Sequence, residues 1–173
     1  MKYEVIDNFL QPDTYNDIKD IITGGVFYWQ YSINLNDSLE AKGKFQLVHY
    51  THEHGRVMSP ISNVIAKPLM AQLKQTKGYN QVGVVRGRVN GFIPTFENTA
   101  LGLHKDIEDT EEFYTLLLYL TTDNGGTRLY TGEIINSVEN RALIFKANQK
   151  HETITQTDEH LRINININFI VID

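Results

Sequence analysis

A regular alternation of apolar and polar residues marks the C-terminal end of the chain. Apolar residues occupy the odd positions from 161 to 171, and the even positions between them hold Arg162, Asn164, Asn166 and Asn168. Because successive side chains of a β-strand point to opposite faces, this period of two predicts one long strand. Its apolar face should pack against other elements. Its polar face begins with a guanidinium, which favours a pocket lining over an exposed surface, at least for Asn164.

A first helix is predicted near the N-terminus, where apolar residues recur at helical spacing at Tyr15, Ile18, Ile21 and Ile22. Pro12 stands at its start, where a proline is tolerated in the first turn. Gly24-Gly25 follows the last apolar position and should end the helix. The pattern indicates a scaffold helix that packs on the outside of a sheet.

A second helix is predicted after Ser59-Pro60, which have the residue types of an N-cap and a first-turn proline. Its apolar positions are Ile61, Val64, Ile65, Leu69 and Leu73. Pro68 lies among them and lacks the backbone N–H that a helix interior needs, so we expect it to kink or split the helix. Residues 74–80 are predicted to be a linker.

The remaining chain is rich in short β-prone segments separated by turn residues. Besides the last strand, strands are predicted at 5–10, 27–34, 45–50, 82–92, 114–120, 127–130, 133–138, 141–147 and 151–156, with a polar loop at 36–44. Short strands at this spacing are typical of a sandwich or jelly roll. The fold class is therefore α+β, mostly β with N-terminal helices.

Length and composition limit the possible classes of protein. At 173 residues the chain is expected to form one domain, in which 1–80 support a core formed by 81–173. The net charge of −5 provides no basic surface for a nucleic acid. There are no cysteines, so disulfides and thiolate metal sites are excluded. With neither a signal peptide nor a membrane-length apolar run, we expect a cytoplasmic protein without a membrane partner.

Three residues have the types and spacing of a metal site. His104 and Asp106 are two positions apart, so in extended backbone they point to the same side and can bind one ion. His151 would reach the same ion from elsewhere in the sheet. Two imidazoles and one carboxylate form the facial triad of non-haem Fe(II) oxygenases, which leaves coordination positions open for a 2-oxoacid and O2. Arg162 follows His151 by eleven positions and could meet a distal carboxylate.

This ordered set resembles the 2-oxoglutarate/Fe(II)-dependent oxygenases, closest to their small prolyl-4-hydroxylase-like branch. The family pattern is His-x-Asp, a distant His, and an Arg or Lys about ten residues later. Similar stretches also occur at 124–127, 139–145 and 162–166, so the resemblance covers roughly 82–170. It implies a double-stranded β-helix (jelly-roll) core, the metal ligands His104, Asp106 and His151, and Arg162 on the 5-carboxylate of 2-oxoglutarate.

The resemblance also implies an oxidoreductase, a dioxygenase that hydroxylates a substrate C–H bond and releases succinate and CO2. Its cofactors would be Fe(II), 2-oxoglutarate and O2, with ascorbate as a candidate reductant. Further 2-oxoglutarate contacts are expected from Asn164, Thr127, Tyr114 and Asn90. The substrate would be a prolyl or other protein side chain. Prolyl hydroxylases of this branch use Lys where this chain has Arg162, so a free amino acid or small metabolite remains an alternative substrate.

Several alternatives stay open on the sequence alone. His49, His52 and His54 could form a second metal site, but a solvated rim or the mouth of the active site is favoured. Arg86 and Arg88 share the polar side of their strand with Asn90 and could face either a cavity or water. A non-enzymatic jelly-roll ligand-binding module would share the short strands without needing the metal ligands.

The acidic stretch after the proposed ligands bears on the partners of the protein. It contains Glu108, Asp109, Glu111 and Glu112. A solvated face is the simplest interpretation, but a negative charge beside the metal would repel a polyanion within the screening length. We therefore expect a small co-substrate with a peptide, protein or small-molecule substrate, and no nucleic acid.

Overall fold

The computed structural model of the chain describes residues 3–33, 45–108 and 111–172, so the loop predicted at 36–44 lies outside the described residues. Two helices are present, α1 (Pro12–Thr23) and α2 (Ser62–Lys77). No described helix has the length and apolar character needed to cross a membrane.

Eleven strands lie within the described residues, and most of them follow α2 along the chain. They are β1 (Tyr3–Ile6), β2 (Gln30–Ser32), β3 (Gln46–Glu53), β4 (Arg56–Val57), β5 (Gln81–Phe92), β6 (Phe113–Tyr119), β7 (Gly126–Leu129), β8 (Ile134–Asn136), β9 (Ala142–Lys146), β10 (His151–Ile154) and β11 (Arg162–Ile172). The prediction of a mostly β chain with two helices in its N-terminal part is therefore confirmed. The short β4 was not predicted, because two residues carry no periodic signal.

The strands form two antiparallel sheets. The large sheet has the order β1-β9-β6-β11-β5-β3-β2, with β4 added beside β3. The small sheet has the order β10-β7-β8. β11 lies between β5 and β6, and most of its residues from Arg162 to Phe169 are buried. The predicted long C-terminal strand is confirmed.

Two apolar clusters separate the layers. One lies between the helices and the large sheet and contains Ile18 and Leu69 from the helices and Ile165 and Leu118 from the sheet. The other joins the two sheets through Leu117, Leu129, Leu143 and their neighbours. The odd positions of β11 belong to the helix-side cluster, so its polar even positions point toward the small sheet.

The first helix agrees with its prediction, and the second differs in three ways. α1 begins at Pro12, ends before Gly24, and buries Tyr15, Ile18 and Ile22. The N-cap of α2 is Ile61, without a side-chain cap, so the predicted N-cap at Ser59 is wrong.

The other two differences concern the interior and the end of α2. The helix runs without a break past Pro68, because burial of Ile65, Leu69 and Leu73 offsets the hydrogen bond that the proline removes. It continues to Lys77, inside the predicted linker. It then ends at Gly78, whose φ of 70° lets its N–H reach the Lys74 carbonyl.

Candidate metal centre

Three potential metal ligands converge where the irregular segment before β6 meets β10. His104 and His151 pair through two backbone hydrogen bonds of 2.9 Å, one in each direction. Their rings lie 4.5 Å apart between centroids. Asp106 Oδ2 is 3.8 Å from His151 Nε2, and one ligand atom from each of the three residues lies within 4.8 Å of the others. The sequence-predicted residues are thus brought together at one point.

Backbone carbonyls fix which nitrogen each imidazole can offer to a metal. His104 Nδ1 is 3.2 Å from the Gly102 oxygen, and His151 Nδ1 is 3.1 Å from the Gln149 oxygen. A carbonyl oxygen only accepts hydrogen bonds, so both Nδ1 atoms carry the proton and donate. Both Nε2 atoms are then left as lone-pair donors, which is the usual arrangement for a metal-binding histidine.

The carboxylate of Asp106 is held by side chains from three strands of the large sheet. Its Oδ1 accepts a 2.7 Å bond from Arg86 Nη2, and its Oδ2 accepts a 2.7 Å bond from the Thr115 hydroxyl. Asn166 Nδ2 lies 3.2 Å from both oxygens. The side chain of Asp106 is only 4% exposed, so these donors rather than water set its orientation.

The charges around this carboxylate decide its protonation state. Burial by itself raises the pKa of Asp106, but the nearby His151, Arg86 and His104 and the Thr115 hydrogen bond hold that pKa well below its usual value. Burial lowers the pKa of His151, although Asp106 opposes the shift. Asp106 is therefore ionised and His151 is neutral near neutral pH, which are the forms that bind a metal.

The open question about Arg86 and Arg88 is answered by their contacts. Arg86 faces the site, where it bonds to Asp106 and also donates from Nε to Asn168 Oδ1 at 2.7 Å. Arg88 lines the metal-side cavity, and its guanidinium lies 5.0 Å from the Tyr50 ring centroid. Arg86 therefore faces the site, and Arg88 is half-buried in the cavity wall.

Arg162 is completely buried and only partly satisfied. Its Nη1 donates to the Ile154 carbonyl at 2.7 Å, while Nε and Nη2 have no hydrogen-bond partner. Asp123 Oδ1 is 3.9 Å from Nε, which is too far for a hydrogen bond. The guanidinium lies 5.5 Å from the Phe92 ring centroid and 5.7 Å from that of Tyr119. A buried cation with two unused donor atoms fits a carboxylate ligand.

Thr127 and Tyr114 were both expected to contact 2-oxoglutarate, but only Thr127 lies at the cavity. Thr127 lines the cavity, and its Oγ1 accepts a 2.8 Å bond from the Tyr119 hydroxyl. Tyr114 instead stacks on Phe169 on the helix side of the large sheet, so its assignment to the co-substrate pocket is corrected. Tyr114 and Tyr119 are five positions apart in one strand, and an odd separation places side chains on opposite faces.

The two predicted asparagines lie side by side on neighbouring strands. Asn90 Nδ2 donates to Asn164 Oδ1 at 3.0 Å, and both residues line the cavity together with the metal-ligand candidates. The cavity has a volume of about 60 Å³. This is well above the roughly 10–15 Å³ that a single water molecule needs.

The histidine-rich stretch does not join the metal centre. His49 donates from Nδ1 to the Tyr28 carbonyl and accepts the Ser59 hydroxyl at Nε2, both at 2.8 Å. His52 is buried and His54 is exposed. Within the described part of the chain, the only group of three potential ligands is His104, Asp106 and His151. The position of His49 and Tyr50 on a second depression leaves the prediction of an active-site mouth open.

The acidic stretch is exposed where the structure describes it. Glu111 and Glu112 are exposed, and Glu108 forms a 3.0 Å ion pair with Lys105. Asp109 lies outside the described residues. These positions agree with a solvated acidic face close in sequence to the ligands.

Sequence reasoning missed several residues that complete the site. Thr115 stands alone among apolar residues in β6, and an isolated hydroxyl in a buried strand was an available signal. Asn166 was recognised only as part of the polar face of β11. Tyr119 and Gln46 gave no signal, because their roles depend on neighbouring strands.

Comparison with known proteins shows the fold. No family model and no curated protein sequence matches the chain. An oxidoreductase of the 2OG-Fe(II) oxygenase family from Burkholderia pseudomallei superposes with a TM-score of 0.72 at 11% identity, covering 97% of this chain and 84% of that one.

Two further similar structures were solved with bound ligands. A prolyl hydroxylase from Trichoplax adhaerens, in complex with a hypoxia inducible factor peptide fragment, has a TM-score of 0.64 at 14% identity and coverage of 98% and 83%. HygX from Streptomyces hygroscopicus, with nickel and 2-oxoglutarate bound, has a TM-score of 0.64 at 10% identity and coverage of 98% and 82%. The chain therefore has the fold of 2-oxoglutarate/Fe(II) oxygenases.

Proposed function

We propose that this protein is a 2-oxoglutarate- and Fe(II)-dependent dioxygenase that hydroxylates a substrate C–H bond. The observation that carries the proposal is the convergence of two imidazole Nε2 atoms and one ionised carboxylate on a single cavity. This donor set, from His104, Asp106 and His151, is typical of non-haem Fe(II) sites with open positions. The fold is shared with proteins that use this chemistry.

The surroundings of Arg162 support 2-oxoglutarate as the co-substrate. Its two unpartnered donor atoms would pair with the 5-carboxylate. Arg162 does not itself line the cavity, but its guanidinium lies 5.5 Å from the ring centroid of Phe92, which does. Asn90 and Asn164 would provide further hydrogen bonds. An anion there would also satisfy a buried cation that otherwise has only one hydrogen-bond acceptor.

The reaction then balances as follows. Bound iron would supply the redox chemistry that activates O2, with ascorbate as a candidate reductant that keeps it ferrous. One oxygen atom enters the substrate C–H bond as a hydroxyl group, and the other enters succinate as 2-oxoglutarate loses CO2. The part of the protein is to hold Asp106 ionised through Arg86, Thr115 and Asn166, and to keep both imidazoles in the Nδ1–H form.

The same fold would be a double-stranded β-helix formed by residues 81–173 and supported by residues 1–80. Two observations support this architecture. The small sheet packs on the large sheet through Leu129 and Ile135. Bridges from Ala100 to Ile154 and from His104 to His151 extend the small sheet by a further irregular strand. All of the proposed site residues would then belong to one domain.

The substrate class is proposed from the charge of this chain and from its similarity to solved structures. A prolyl or other protein side chain is supported by a neighbour described with a bound peptide. A nucleic acid is disfavoured by the net charge of −5 and by the exposed Glu111 and Glu112, because phosphate contacts need clustered cations. A free amino acid is supported by Arg88 and Glu53, two oppositely charged residues that line a second depression.

The proposal is tested by optical spectroscopy and product analysis. Anaerobic addition of Fe(II) and 2-oxoglutarate should give the weak visible charge-transfer band of the chelate, and O2 should then yield succinate. His151→Ala should lose both signals, because one of three ligands is missing. His160→Ala is the matched control, since His160 is exposed and does not belong to the group of ligand candidates. Absence of the band in the wild-type protein would favour a non-enzymatic ligand-binding module.

A further inference from the structure

A second depression lies beside the metal cavity and shares Arg88 with it. It has a volume of about 710 Å³ and includes Tyr28, Tyr50, Glu53, Met58 and Arg88 in its walls. The metal cavity is much smaller, with a volume of about 60 Å³. Arg88 lines both spaces, so its side chain stands between the wide depression and the metal cavity.

Arg88 carries a charge that no described residue neutralises. No described carboxylate lies within ion-pair distance of it, and its buried Nε has no hydrogen-bond partner. Its guanidinium lies over the face of the Tyr50 ring, 5.0 Å from the centroid. Arg86, two positions earlier on the same face, differs sharply because Asp106 and Asn168 occupy its guanidinium. Of this pair, Arg88 is therefore the arginine with donor atoms to spare for a ligand.

Glu53 supplies the opposite charge in the same depression. Its Oε2 is buried without a hydrogen-bond partner, and its Oε1 is 3.9 Å from His54 Nε2, which is beyond hydrogen-bond distance. Tyr50 pairs with Arg88 across β3 and β5, and His52 pairs with Gly87. Continuing this register places Glu53 opposite Arg86, two positions along β5 from Arg88, and the charge of Glu53 also acts on Arg86. Glu53 and Arg88 both line the second depression.

We propose that the substrate is a free, zwitterionic α-amino acid, whose carboxylate is bound by Arg88 and whose ammonium group is bound by Glu53. This inference rests on the proposed function and names the substrate class of the same site. Both charged side chains hold a buried, unused polar atom, and such atoms are costly unless a ligand satisfies them. Tyr28, Tyr50 and Met58 would contact the apolar part of the ligand.

The alternatives fit these charges less well. A residue inside a peptide has neutral amides in place of its ammonium and carboxylate groups, so it would leave Arg88 and Glu53 unpaired. A phosphate would meet one unpaired arginine beside a carboxylate, which repels it. An amino acid with both termini free matches one cation and one anion at once.

The test uses the whole protein with Fe(II), 2-oxoglutarate and O2. Succinate release is measured with each proteinogenic L-amino acid, and then with the best one as its N-acetyl and carboxamide derivatives. We expect the free amino acid to stimulate succinate release and each derivative to raise KM by about 10- to 100-fold, the effect of losing a charged hydrogen bond. Stimulation by end-blocked peptides but by no free amino acid would overturn the inference.

Variants separate recognition from a general structural effect. Arg88→Gln should raise KM about 10- to 100-fold for the free acid but little for its carboxamide, and Glu53→Gln should do the same for the ammonium against the N-acetyl form. Arg88→Lys should recover part of the lost affinity. Lys67→Gln removes an equal charge from an exposed position on α2 and is the matched control. Equal losses for charged and neutral ligands in Arg88→Gln would overturn the role of Arg88.

The proposed function and the substrate inference can be disproved separately. If the charge-transfer band of the Fe(II) chelate is absent, both the proposed function and this inference are overturned. If the band is present but no free amino acid perturbs it or stimulates succinate release, only the substrate inference is overturned.

Discussion

At the scale of single residues, Asp106 shows how the site is prepared for a cation. Its carboxylate is almost completely buried, and Arg86, Thr115 and Asn166 supply every described hydrogen bond to its oxygens. A buried carboxylate needs positive charge nearby, and Arg86 provides it before any metal does. The same contacts fix the carboxylate in the orientation that a ligand needs.

This role of Arg86 predicts a stability change that depends on metal. Arg86→Gln should lower the free energy of unfolding of the metal-free protein by about 1.5–3 kcal/mol, the usual effect of losing a hydrogen bond to a charged group. In the metal-loaded protein the loss should shrink, because the cation neutralises Asp106 instead. Urea unfolding with and without Ni(II) measures both values. Lys67→Gln, at an exposed position of α2, should change stability by less than about 0.5 kcal/mol.

An equal loss of stability with and without metal would contradict this account. It would mean that Arg86 acts through packing or through Asn168 rather than through the charge of Asp106.

Arg162 predicts a change in co-substrate affinity rather than in metal affinity. If the 5-carboxylate of 2-oxoglutarate pairs with its buried guanidinium, Arg162→Ala should weaken 2-oxoglutarate binding by about 3–5 kcal/mol. Arg162→Lys should be intermediate, because a point charge replaces a two-pronged donor. Titrating the charge-transfer band with 2-oxoglutarate at saturating Fe(II) gives the affinity. An unchanged 2-oxoglutarate requirement in Arg162→Ala would rule out this pairing.

At the scale of elements, the small sheet holds His151 in place through its neighbour β7. Gly126 of β7 pairs with both Asn136 and Ile154. A Cβ atom at Gly126 would lie 2.5 Å from the Ile135 carbonyl oxygen, a contact that the paired backbone cannot relieve without moving. Glycine at this position therefore allows β7 and β8 to approach closely.

Gly126→Ala should accordingly loosen the sheet that carries His151. We expect a loss of about 1–3 kcal/mol in unfolding free energy, which is typical of overpacking, together with weaker metal binding. Chemical denaturation and metal titration measure the two effects. Gly25→Ala is the control, because a Cβ there meets no atom within 4 Å. Equal stability of the two variants would show that β7 can shift at little cost.

At the scale of the whole molecule, the candidate metal centre connects the two sheets. His151 belongs to the small sheet, while Arg86, Thr115 and Asn166, which hold Asp106, belong to the large sheet. A bound ion would therefore link elements that otherwise meet through the apolar cluster around Leu117 and Leu129. Metal binding and global stability should be coupled.

We expect a metal-dependent rise in the melting temperature. At a free-metal concentration of about 100 times Kd, binding to the folded state alone adds about 2.7 kcal/mol, or roughly 5–11 °C in Tm for a chain of this size. Ni(II), Zn(II) and anaerobic Fe(II) should each produce the shift in differential scanning fluorimetry. His151→Ala should abolish it and His160→Ala should retain it. An identical shift in His151→Ala would place the ion elsewhere.

The sequence by itself determined the elements with strong local signals. The period-two pattern identified β11 and separated its apolar face from its polar face, because alternation is a property of neighbouring residues. That the apolar face packs on the helices was decided by the tertiary structure. The order and spacing of His104, Asp106 and His151 singled out three residues that the structure brings together at the cavity. The role of Arg162, which does not line the cavity, stays a prediction. Local spacing also located α1 with its boundaries.

Tertiary structure alone decided which side chains meet across strands. The pairing of Arg86 with Asp106 depends on how β5 lies beside β11 and on the path of the segment before β6. The choice of Tyr119 over Tyr114 depends on which face of β6 looks toward the small sheet. The continuity of α2 through Pro68 depends on apolar burial that outweighs one lost hydrogen bond. Each of these results depends on the interaction energies of residues that are far apart in sequence. The periodicity of the sequence does not encode those interactions.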